Sequence, residues 1–168
     1  MTEIKYPLDR AEIGRMMAIE RQSFPSPWSE DDVDAALSSG GRLRCLGITD
    51  GGTLVGWGCF GLGPGFAHIM TLAIDPAYRH RGFGKRLLDS MLLAASDAGA
   101  RYAELECREG NKAAQALYKR AGFKQAGRQE RYYTDTGEDA LIYVKIPLPE
   151  GDSGRDPYLI REQTGEDG

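Results

Sequence analysis

One segment constrains this fold more than any other. Between residues 66 and 107 the apolar run FAHIMTLAI, a helix pattern and the alternating stretch YAELEC follow one another directly. The helix shows in Leu87, Leu88, Met91, Leu92 and Ala95, which share one face, and Gly99 closes it. A strand that reaches its partner through a helix crosses back to its starting end. The two strands are therefore predicted to be parallel and the crossover right-handed.

Everything around that unit reads as hairpins and short helices. A short strand near Ile4–Tyr6 precedes Asp9, with Glu12 three residues on, a capping-box spacing ahead of Ile13, Met16 and Met17. FPSPWSEDD (24–32) interrupts that helix with prolines. Ser29 then caps a second helix carrying Val33, Ala36 and Leu37, stopped by Gly40 and Gly41. Strands are expected at 42–49 and 53–60, turned by DGG, then at 66–75 and 102–107. A helix from Asn111 to Ala121 ends at Gly122, and two strands near 123–131 and 139–146 finish the series. The order β-α-α-β-β-β-α-β-α-β-β predicts one α/β domain (α+β in some schemes) with a mixed, mostly antiparallel sheet. Its boundaries are set at 1–148, and 149–168 is read as an acidic, flexible tail.

The charge balance supports that division. The 168 residues carry a net charge of −4, but six acidic and two basic side chains lie from Pro149 onward. The body is left with 19 of each, which is not the basic face of a nucleic-acid binder. No membrane partner is expected, because no run approaches the roughly 18 apolar residues of a span. No secretory pattern opens the chain, and Cys45, Cys59 and Cys107 lack C-x-x-C spacing. A cytoplasmic protein with reduced thiols and no metal is the expectation.

Two glycine-rich stretches compete for a phosphate-binding role. GWGCFG (56–61) has the G-x-G-x-x-G spacing, but LGPGF follows it, where Pro64 and two more glycines prevent the helix a dinucleotide site needs. Strand glycines packed against a neighbour account for it better. RHRGFGKRLL (79–88) has the right context, since it follows a strand and opens a helix. Its cationic side chains crowd a helix N-terminus, where backbone N–H groups already leave positive charge. An anion among them resolves that conflict. Gly82 and Gly84 let successive N–H groups turn toward it, and Arg79, Arg81 and Lys85 neutralise it.

RHRGFG also fits R/Q-x-x-G-x-G/A, and in this setting the chain resembles the GNAT acetyltransferases, whose coenzyme A pyrophosphate loop has that form. The likeness runs from about residue 2 to 148. It is closest to the RimI-type ribosomal-protein alanine N-acetyltransferases through FPSPWS, LAIDPAYRHRGFGKRLL, LECREGNKAAQALYKRAGF and RYYTDTGEDALI. It implies that acetyl-CoA is held by Leu72, Ala73 and Ile74, by the loop Arg79, His80, Arg81, Gly82, Phe83, Gly84 and Lys85, and by Asn111. Asn111 is also an ordinary helix cap by spacing. The resemblance further implies Glu106 as proton acceptor and Tyr118 as proton donor to the coenzyme sulfur. Phe24, Trp28 and Tyr132 become candidates for the acceptor walls.

Two residues near these are read as structural: Glu104 as a solvent-facing carboxylate and His68 as a strand histidine. CREGN departs from the family's usual pattern, where Val and a small residue before Asn are more common, and this touches acceptor choice. The expected function is N-terminal acetylation of a protein, with alanine first and a small-subunit ribosomal protein as partner. The alternatives are acetylation of a small-molecule amine or a lysine side chain, and a non-catalytic acyl-CoA-binding module. Retention of Glu106 and Tyr118 speaks against the last.

Overall fold

The computed structural model describes residues 1–149; the segment read as an acidic tail lies, apart from Pro149, outside the described residues. Strands β1 (Thr2–Lys5), β2 (Leu43–Asp50), β3 (Thr53–Gly63), β4 (Phe66–Ile74), β5 (Tyr102–Arg108), β6 (Lys124–Gln129) and β7 (Ala140–Lys145) form one sheet. Its spatial order is β1-β2-β3-β4-β5-β7-β6. The β4–β5 pair is parallel and the other neighbours are antiparallel, as the crossover required. Helices α1 (Ile13–Ser23), α2 (Glu30–Leu37), α3 (Phe83–Asp97) and α4 (Lys112–Arg120) complete the α/β domain.

Two apolar clusters hold the layers together. One packs Leu87, Leu88, Met91 and Leu92 of α3 with Ile48, Val55 and Phe60 of the sheet and with Tyr118 and Tyr143. The other packs Met16, Met17 and Ile19 of α1 with Val33 of α2 and with Trp57 and Cys59 of β3. The three cysteines are free and buried.

Local chemistry explains most boundaries. The β2–β3 turn places Gly51 and Gly52 at φ of 58° and 84°, a conformation that favours glycine at both turn positions. Ser29 and Asp32 form a reciprocal capping box on α2. The box expected at Asp9 is not formed. Asp9 instead caps a 3-10 turn, Arg10–Glu12, by accepting from the Ala11 N–H, and α1 begins only at Ile13. Glu12 pairs with Lys5, and a carboxylate held by a strand lysine does not reach back to the cap. The glycines of GWGCFG lie within β3 and serve close packing. A Cβ on Gly56 would meet Ile74 Cδ1 at 2.3 Å, and one on Gly58 would meet Met91 Sδ at 2.5 Å.

Candidate active site

The parallel pair is joined only at its beginning. Phe66, Ala67 and His68 lie opposite Tyr102, Ala103 and Glu104, and the register stops there. From Ile69 to Ile74, β4 keeps β3 on one side and has no β5 partner on the other. Main-chain groups on that open side face a cleft between the two strands. The β3–β4 register also slips at Cys59/Phe60, leaving Met70 unmatched and 41% exposed at the cleft.

Two cavities occupy the cleft and share Phe24, Leu72, Asn111, Ala114 and Tyr118. One, of about 280 Å³, runs along Leu72, Ala73 and Ile74 to the start of α3, where Arg79, His80, Gly82, Phe83, Gly84 and Lys85 line it. The N-cap of α3 is Gly82, at φ 82°, and no side chain caps this end. Only Arg86 of the first turn has an internal partner, the Gly82 carbonyl, so the N–H groups before it remain available to an anion. Gly84 leaves room for close approach. A Cβ there would meet only Leu117 at 3.5 Å and Ile74 at 3.7 Å. Arg79 is fixed by donating to the Ile74 carbonyl (3.1 Å) and to Ser23 Oγ (3.2 Å). Arg81 is not on this lining; its guanidinium lies 5.3 Å from the centre of the Tyr78 ring.

The second cavity, of about 170 Å³, is bounded by Glu106 and Tyr118, by Phe24 and Trp28, and by Glu20, Thr71 and Tyr133. Trp28 meets Trp57 edge-on, with ring centres 5.7 Å apart. Tyr132 is 44% exposed and stands against the Tyr133 ring at 5.0 Å, so Tyr133 is the tyrosine of this pair that reaches the cavity. A partly buried network fixes Tyr133. Arg108 lies 4.0 Å over its ring while gripping both oxygens of Asp135 at 2.9 and 2.8 Å, and Ser26 also donates to Asp135 at 2.7 Å. This ties the 24–28 segment to the β6–β7 loop.

His68 is more than a strand histidine. Its Nε2 lies 2.6 Å from Oε2 of Glu106. That bond raises the histidine's pKa above its ordinary value and lowers the carboxyl's, in both cases against an opposing effect of burial. Glu104 shows no such contact and is half-buried on the same strand face rather than fully solvent-facing. Tyr118 is buried beside Phe123 and Tyr143, and burial raises its pKa strongly. Asn111 does what its spacing suggested, accepting from the Ala114 N–H at 3.2 Å, while also reaching both cavities.

Comparison with known proteins agrees with this architecture. Residues 13–123 match the acetyltransferase (GNAT) family. The N-alpha-acetyltransferase RimI of Mycobacterium tuberculosis is 40% identical over 139 residues, covering 79% of this chain and 85% of that protein. The [ribosomal protein bS18]-alanine N-acetyltransferase of Escherichia coli K12 is 31% identical over 143 residues, covering 84% and 95%. The crystal structure of the ribosomal-protein-S18-alanine N-acetyltransferase from Escherichia coli superposes with a TM-score of 0.80 at 28% identity, covering 90% of this chain and 97% of that one.

Proposed function

The chain belongs to the GNAT acetyltransferase family and is an acetyl-CoA-dependent N-acetyltransferase; from that premise we propose that its acceptor is the N-terminal α-amine of a protein, with alanine preferred and a ribosomal protein as the natural target. The observation carrying this reading is the junction of the two cavities at Leu72 and Tyr118. One opens onto an uncapped helix N-terminus suited to a pyrophosphate, and the other holds a carboxylate.

In this reading the start of α3 and the 79–85 loop receive the coenzyme's phosphates. The open side of Leu72–Ile74 offers N–H groups to the pantetheine and to the thioester carbonyl, which gains negative charge as the amine attacks. Glu106 takes a proton from the acceptor ammonium, directly or through one water, and the freed nitrogen forms the new C–N bond. As the C–S bond breaks, Tyr118 donates toward the departing sulfur. A tyrosine with a raised pKa keeps its proton at neutral pH, and it is a weaker acid than a thiol of about 8.5. Its hydroxyl therefore stabilises the departing sulfur by a hydrogen bond. The proton it passes on is replaced by the second N–H proton that the nitrogen sheds on becoming an amide, so that the free thiol leaves and the phenol is restored.

The acceptor's own acidity supports an α-amine. With a pKa near 8 it is about one-tenth neutral at pH 7, whereas a lysine near 10.4 is neutral in well under one molecule per thousand. A single carboxylate with a lowered pKa is a modest base, suited to the former. The relatives named for alanine N-acetylation support the finer assignment.

Peptides beginning Ala-Arg or Met-Leu, each with an internal lysine, test it. After reaction with acetyl-CoA, mass spectrometry is expected to place the acetyl group on the N-terminus, faster for alanine. Acetylation confined to the internal lysine, or seen only on polyamines, overturns the acceptor assignment and leaves the acetyl-CoA chemistry standing.

A further inference from the structure

Glu20 is a carboxylate where an apolar side chain would be expected. It lies on the inner face of α1, is 1% exposed, and borders the cavity that also holds Glu106. Its Oε1 accepts from the backbone N–H of Trp28 at 3.3 Å, and the Thr71 hydroxyl lies 3.2 Å from Oε2 and 3.4 Å from Oε1. The two donors come from different parts of the chain. Trp28 belongs to the proline-rich segment that forms one cavity wall, and Thr71 immediately precedes Leu72 on the open stretch of β4.

We infer that Glu20 is a positioning residue for acetyl transfer: it ties the 24–28 wall of the acceptor cavity to β4 beside Leu72. The inference rests on the reading of this cavity as the acceptor site. The segment needs such a tie, because FPSPW lies between α1 and α2 and is outside the regular ladders of the sheet. Its other anchors are the Phe24 N–H bond to the Glu20 carbonyl at the end of α1 (3.2 Å), the packing of Phe24 and Trp28 on the apolar cluster with the Trp28–Trp57 edge, and the Ser26–Asp135 bond on an exposed loop. None of these is a hydrogen bond to β4. Receiving a backbone donor and a hydroxyl at once from this depth takes a side chain that brings in an sp2 oxygen with two lone pairs, as a carboxylate or an amide does. Keeping a carboxylate there carries a desolvation cost that the two donors offset only in part, since its pKa stays above the ordinary value. An apolar residue would pack without that cost but would release both elements.

The role asks for acceptor oxygens rather than for charge. Glu20→Gln keeps an oxygen that can accept from both donors, so the full-length variant is expected to acetylate with kcat and KM within about threefold of the parent. Glu20→Ala removes the tie. Its acceptor KM is expected to rise about tenfold or more, with kcat within about threefold and the acetyl-CoA-induced melting shift retained. Thr71→Val cuts only the β4 side without changing shape, and is expected to raise KM by about fivefold, beyond the band allowed for Glu20→Gln. Should Glu20→Ala not fold, Thr71→Val decides.

An amine panel run on the parent protein settles the acceptor class first. The variants are then compared on whichever amine turns over, so the two readings fail separately. Equal impairment of Glu20→Gln and Glu20→Ala overturns the inference, because charge would then be the requirement. An unchanged acceptor KM in Thr71→Val, or a loss confined to kcat, also overturns it.

Discussion

At the scale of single residues, the proposed chemistry centres on the 2.6 Å contact between His68 and Glu106. His68 and Glu106 stabilise the folded state through opposite shifts. The raised histidine contributes fully below its ordinary pKa of 6.5, and that contribution is lost as pH rises through the folded value. The lowered carboxyl contributes above its ordinary 4.5, and that contribution is lost as pH falls through the folded value. Both are present together between 4.5 and 6.5. Above the histidine's folded pKa, Glu106 loses its cationic neighbour and becomes a stronger base, just where more of an α-amine is neutral. Activity is therefore expected to climb on the alkaline side of 6.5. An NMR titration of His68 isolates the pair. Its midpoint is expected above 6.5 in the parent and at or below 6.5 in Glu106→Gln, where burial opposes only the weaker field of Glu104. A midpoint unmoved by that substitution would show that the two groups share no proton. The same variant is expected to lose about 10²–10⁴ in turnover while binding acetyl-CoA normally. A loss below tenfold would move the role of base to His68, the neighbouring group in contact with Glu106.

At the scale of elements, coenzyme binding in the proposed reading falls to the backbone of the β4–α3 junction rather than to its side chains. Gly84→Val tests that. The Cβ itself fits, 3.5 Å from Leu117, but the added methyl groups enter the space above the open N–H groups of α3. The variant is expected to fold and to lose most of its acetyl-CoA melting shift. In the parent, ligand at about 100 times its Kd adds roughly 2.7 kcal/mol, or about 5–10 °C for a domain of this size. A full shift in Gly84→Val would mean that the phosphates bind elsewhere. This junction was legible in the sequence because a strand, a turn and a helix pattern meet at RHRGFG, and each has its own periodicity. The His68–Glu106 contact was not. YAELEC shows that Glu104 and Glu106 share a face, but only the β4–β5 register, with His68 opposite Glu104, brings a residue 38 positions away onto that face. The slip at Met70 was equally hidden, since a bulge answers to the neighbouring strand and leaves no pattern in its own. Tyr132 and Tyr133 sit in a non-periodic loop, and it is the grip of Arg108, from β5, that orients the second of them. Asp9 and Glu12 had the spacing of a capping box, and Lys5 drew the glutamate away.

At the scale of the whole molecule, the question is where the domain ends along the chain. Past β7 the backbone still belongs to the core. Leu148 is 6% exposed, joins the larger apolar cluster, and donates its N–H to the Arg101 carbonyl at 3.1 Å. That bond pins the end of the described chain to the residue before β5, the strand that carries Glu106. The twenty residues from Pro149 onward hold six acidic side chains and no helical or strand periodicity, and on that ground we propose that the domain ends at residue 148. Two truncations then differ sharply in expected outcome. A chain ending after Leu148 is expected to melt within about 2 °C of the full chain and to keep its acetyl-CoA shift, because both apolar clusters and both cavities lie within it. A chain ending after Lys145 forfeits the burial of Leu148 and its bond to Arg101. Loss of a buried leucine costs about 2–5 kcal/mol, which at roughly 2–4 °C per kcal/mol lowers the melting temperature by about 4 °C or more. Thermal melts of the three lengths, with and without acetyl-CoA, read both outcomes. Equal melting of the two truncations would place the end of the domain before Leu148, and a large loss on removing 149–168 would extend it into the acidic segment.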